Sequence, residues 1–158
     1  MADKRGGAIA PTPLQIMTTD GLDLSALHYG PLDAEIAITF AHGFTGSQRN
    51  PKVVRLAQKV ADAGIAFLTA DLRGHGTSGG YSTLGERETD DIDALVTAAR
   101  RHHRRVVSVG ASMGGFIALR HAALGGDVDA VIAISSPAAA DQPKLPRARV
   151  LGRIVHSK

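Results

Sequence analysis

The 158-residue sequence has no cysteine, which excludes disulfides and thiolate metal sites from the outset. It has no apolar run near the roughly 20 residues needed to span a bilayer. Lys4 and Arg5 stand near the start, but no apolar stretch follows them, so the secretory signal pattern is missing as well. Strong charge of one sign is also lacking. The formal net charge is +3, with 44% hydrophobic and 21% charged residues, an ordinary globular balance. These absences leave a single cytoplasmic domain with a sizeable core as the expectation, with neither metal nor cofactor.

What is present has a clear order. Residues 1–13, small, polar and broken by prolines, read as a flexible leader. Leu14–Thr19 and Leu22–Leu27 read as strands joined by the turn signal Asp20-Gly21. Ile36–Ala41 and Ile65–Ala70 are short, nearly continuous apolar runs, as expected of strands covered on both faces. Between them Asn50-Pro51 offers an N-cap and a first-turn proline, Val53, Leu56, Ala57 and Val60 recur at helical spacing, and Gly64 closes the segment. A glycine-rich loop covers residues 71–80. Thr83 with Glu86 then suggests a capping box for a helix whose apolar face is Ile92, Leu95, Val96 and Ala99. Val106–Val109 is a further strand, Met113–Leu124 a helix, and Val128–Ile134 a last strand. A hairpin followed by alternating strands and helices calls for an α/β fold, a mainly parallel sheet with helices on both faces. Its core is expected over residues 14–137, followed by a basic tail over 138–158.

Gly110-Ala-Ser-Met-Gly114 lies between the strand at Val106–Val109 and the helix at Met113–Leu124. A Gly-x-Ser-x-Gly turn in that setting reverses the chain sharply, strains the serine backbone and lifts its hydroxyl above the sheet. Ser112 is therefore the candidate nucleophile. The helix beginning beside it directs free N–H groups toward negative charge, which makes the Met113 amide one candidate oxyanion donor. The other belongs on the loop His42-Gly43-Phe44-Thr45-Gly46, directly after an earlier strand, with Phe44 supplying its N–H. His42 reads as a structural histidine that hydrogen-bonds this loop.

His42-Gly-Phe, Asp71-Leu-Arg-Gly-His-Gly-Thr-Ser78 and Gly110-Ala-Ser-Met-Gly-Gly115, in that order, resemble the α/β-hydrolase superfamily. The most similar branch is the lysophospholipase, monoacylglycerol-lipase and serine-aminopeptidase group. The resemblance implies a serine hydrolase acting on carboxylic esters, with acylglycerols or small acyl esters as substrates. It implies that Asp71, Arg73 and His75 support neighbouring loops without doing chemistry. It also makes residues 138–158 the start of a cap region.

In that superfamily the order is Ser, then Asp or Glu, then His, with the acid after the seventh strand and the histidine after the eighth. Six strands are expected here, and only His121 and His156 follow Ser112. His121 lies along the same helix, roughly 13 Å away at 1.5 Å per residue, and cannot reach. Asp141 and His156 would make an improvised acid and base. The expectation is thus a fold cut after the sixth strand, or one completed by a second polypeptide. The alternative is an inactive remnant that serves as a binding module. Val128–Ile134 would be an exposed edge that invites self-association or a partner chain. Arg100-Arg-His-His-Arg-Arg105 is one short cluster with no basic face, so no nucleic-acid partner is expected.

Overall fold

The chain enters its sheet through a hairpin, β1 (Thr12–Met17) and β2 (Asp23–Tyr29), closed where Thr18 N–H donates to the Leu22 carbonyl. β1 thus starts ahead of Leu14 and β2 runs past Leu27, because the hairpin register pairs Thr12 with His28. β3 (Ile36–Ala41), α1 (Pro51–Asp62), β4 (Ala66–Ala70), α2 (Glu88–Arg100), β5 (Arg105–Ala111), α3 (Met113–Ala123) and β6 (Ala130–Ile134) follow. The computed structural model describes residues 8–138, and the proposed positions Asp141 and His156 lie outside them.

The strands form one sheet in the order β1-β2-β4-β3-β5-β6. β2 runs antiparallel to β4, while β3, β4, β5 and β6 are mutually parallel. This is the expected mixed α/β sheet with an antiparallel hairpin at one edge. Helices lie on both faces: α2 and α3 cover the face that carries Leu24, Leu68 and Val106, and α1 covers the face that carries Leu27, Phe67 and Val109.

Two local expectations are corrected. On α1 the buried stripe is Val53, Ala57 and Ala61, whereas Leu56 is 37% exposed. One helix spans only part of the sheet, and Leu56 borders the part that α1 leaves open. The capping partner of Thr83 is Glu88 instead of Glu86. Glu88 is fully buried and accepts from Ser82 Oγ (2.7 Å), Thr83 N (2.7 Å), Thr83 Oγ1 (2.6 Å) and Gly85 N (2.8 Å). Thr83 Oγ1 accepts from Arg87 N in return. The reciprocal pair survives at a wider spacing because the 84–87 turn adds residues before the helix begins.

Candidate active site

β5 runs into α3 without a loop. Ser112 is the only residue between them, and its backbone stands at φ 54, ψ −122. That is a left-handed region which a side chain enters only under constraint. The constraint comes from the neighbouring glycines. A Cβ on Gly114 would overlap the Ala41 carbonyl, and one on Gly110 would overlap the backbone of Gly114. Strand β5, helix α3 and the end of β3 therefore close to backbone contact, and the turn between them has no slack. Ser112 N donates to the Ile134 carbonyl (2.9 Å), which ties the turn to β6. Ser112 itself is exposed, while Met113 is buried. The first intrahelical bonds of α3 go from Gly115 and Phe116 to the Ser112 carbonyl, so the N–H groups of Met113 and Gly114 have no acceptor within the helix.

The loop after β3 meets this turn at Gly43. A Cβ there would stand 3.2 Å from Ser112 Cβ and 3.3 Å from the Ala111 carbonyl oxygen. Phe44, next in the chain, is half-buried with its ring edge-on to His75 at 6.0 Å between centres. The loop is held from below by Asp71, whose Oδ1 accepts from Ser47 Oγ (2.9 Å) and Gln48 N (2.8 Å) and whose Oδ2 accepts from Gln48 Nε2 (3.2 Å). Thr45 N donates to His75 Nε2 (3.3 Å), and the Nδ1–H of His75 donates to the Arg73 carbonyl (3.0 Å).

His42 is a strut in the same scaffold. Its Nε2 accepts from Leu72 N (3.0 Å), which leaves the hydrogen on Nδ1 to donate to the Gly43 carbonyl (2.8 Å). Burial pushes its pKa below the ordinary value, so it is neutral with both nitrogens committed. Arg73, likewise buried, binds Asp91 through Nε (2.9 Å) and Nη2 (2.8 Å) and Asp20 through Nη1 (2.9 Å), and so clamps the hairpin to α2. Its hydrogen bonds, aided by Thr18, hold Asp20 down at about 2, whereas burial outweighs the same partner at Asp91 and pushes it up to about 6.

His121 lies away from the turn, with Nε2 3.1 Å from Asp93 Oδ1. Ser112, Met113 and the Phe44 loop are thus brought together, and His121 is not. Sequence reasoning missed the cavity of about 260 Å³ beside the turn, walled by Phe40, Gly43, Val53, Leu56, Ala111 and Ile134. Its only trace in the sequence is Leu56, an apolar residue that α1 does not need for its own packing. Among the described residues there is no cluster of three or more metal-ligating side chains, and no helix is long and apolar enough to cross a membrane.

Similarity to known proteins extends beyond the turn. The esterase Pf2001 of Pyrococcus furiosus superposes with a TM-score of 0.77 at 26% identity, over 94% of this chain and 63% of that one. Est1E of Butyrivibrio proteoclasticus, solved with ferulic acid, gives 0.66 at 28% identity, over 75% and 51%. Proline iminopeptidase PfmaB of Pestalotiopsis fici is 29% identical over 110 residues, which is 69% of this chain and 38% of the relative. The chain therefore spans less than two thirds of the length of each of these relatives. The family described as serine aminopeptidase, S33 matches residues 33–157, most of the sequence. By that match and by its sheet, the chain belongs to the serine aminopeptidase S33 family of α/β-hydrolases.

Proposed function

We propose that the protein is a serine hydrolase of carboxylic esters, either acylglycerols or small acyl esters, with Ser112 as nucleophile. Ser112 Oγ attacks the ester carbonyl and its proton passes to a base. The amides of Phe44 and Met113 hold the negative oxygen of the tetrahedral intermediate. The leaving alcohol takes up the proton and the acyl-serine is hydrolysed by water. The observation that carries this reading is the strained, exposed Ser112 on a turn with no slack, against which Gly43 presses the loop bearing Phe44. Acid and base come from outside the described residues, in the same chain or in a partner that pairs with the β6 edge. That edge also makes the described unit prone to self-association.

A second reading, a non-catalytic binding module, is favoured by one observation. His42, the histidine on the loop that meets Ser112, has both ring nitrogens bound to backbone groups. A fluorophosphonate probe separates the two. Rapid labelling that disappears in Ser112→Ala is expected of the hydrolase. A folded protein that stays unlabelled over hours rejects a complete catalytic site within this chain and favours the binding module.

A further inference from the structure

At the opposite end of the sheet from β6, a cleft of about 420 Å³ opens between the hairpin and α2. Its floor crosses three strands, because the register sets Thr12, His28 and Leu68 side by side. Ala94 and Ala98 of α2 form the wall, and Arg101 stands at the end of that helix. The size falls within the usual range of small-molecule sites. Nothing in the chemistry proposed for Ser112 uses it.

One buried polar chain runs into this floor. His103, 3% exposed, has Nδ1 2.8 Å from the Ala34 carbonyl oxygen, so Nδ1 carries the hydrogen and Nε2 is a lone pair. That lone pair faces Nε2 of His28 at 3.5 Å, with the two ring planes within 10°. Two lone pairs would repel at this separation, so His28 Nε2 carries a hydrogen and donates it. His28 is 5% exposed, and burial, together with the nearby His103 and His102, keeps it neutral by lowering its pKa. Its second nitrogen, Nδ1, is then an acceptor that no group among the described residues bonds. The Ala34 carbonyl thereby dictates, through two imidazoles, what the cleft offers a ligand. It offers a neutral acceptor beside the apolar side chains of Leu14, Ile16 and Leu68, with Gln15, Asp93 and Thr97 elsewhere in the lining.

We propose that this cleft binds a small apolar alcohol or phenol, whose hydroxyl donates to His28 Nδ1 while its hydrocarbon body packs on Leu68, Ala94 and Ala98. Asp93 and Arg101 both line the cleft with opposite charges, so its charge favours neither an anion nor a cation over a neutral ligand.

The test uses 4-propylphenol and its methyl ether, 4-propylanisole, which keeps the shape and loses the donor. In side-chain ¹⁵N spectra of the full chain, free His28 is expected with its hydrogen on Nε2. Added phenol is expected to shift Nδ1 and to bind roughly two- to tenfold more tightly than the ether, the range of one net hydrogen bond of about 0.5–1.5 kcal/mol. Thr97→Trp, an exposed position on the α2 wall, should fill the cleft and abolish phenol binding. The proposal is overturned if phenol and ether bind alike, if neither binds, if the hydrogen sits on Nδ1, or if binding survives in the Thr97→Trp protein.

Discussion

Ser112 occupies a backbone region whose cost is on the order of 1–3 kcal/mol, and the contact of Gly114 with Ala41 keeps it there. Glycine tolerates that conformation, at an entropic cost of about 0.5–1 kcal/mol. Ser112→Gly is therefore expected to raise stability by about 1 kcal/mol while losing every trace of probe labelling. Calorimetry alongside labelling checks both halves. Gly43→Ala tests the loop contact. The added methyl would stand 3.2 Å from Ser112 Cβ, so the protein should fold while its labelling slows by on the order of tenfold to a hundredfold. Unchanged labelling would mean that the loop plays no part at Ser112. At this scale much was legible in the sequence. Glycine two residues either side of a serine, between an apolar strand and a helix, already states that backbone meets backbone there. The hydrogen positions on His42 were not legible, because Leu72, which decides them, is remote in the sequence.

Helix α2 shows how an element can be read correctly and its entrance misread. Its apolar face, Ile92, Leu95, Val96 and Ala99, is buried as its spacing predicts. The start is fixed by Glu88, which gathers four hydrogen bonds under the 82–85 turn, a geometry that spacing rules for regular caps do not anticipate. Burial opposes ionisation of Glu88, but the bonds from Thr83, Ser82 and Gly85 outweigh it and hold its pKa below the ordinary value. A depressed folded-state pKa contributes stability above the unfolded value of about 4.3, and that contribution fades as pH falls through the folded value. Glu88→Gln should cost about 2–3 kcal/mol at pH 7, since buried donors lose a charged acceptor. The gap between variant and parent in urea melts should narrow below pH 4. A gap that is constant from pH 7 to pH 3 would show that the carboxylate charge is irrelevant.

Across the whole molecule, the alternation of elements sufficed to give the sheet and its layers, while the cleft lined by His28 was invisible because it joins a hairpin to a distant helix. The α1 face is covered unevenly. α1 lies over β2 and β4, whereas Ile132 (51% exposed) and Ile134 (47% exposed) stand exposed on β6, an edge strand among the described residues. Sedimentation velocity is expected to show association that grows with concentration, and Ile132→Lys should return the protein to monomer without lowering its melting temperature. Strand order has a further consequence, during synthesis. β3 emerges with neither neighbour made, because its parallel partners are β4 and the much later β5. At about 5–20 residues per second, the ribosome needs on the order of 3–13 seconds between completing β3 and presenting β5. For that interval an apolar strand meant for the centre of the sheet has at most one neighbour, so the nascent chain is most in need of a chaperone before the turn that carries Ser112 exists.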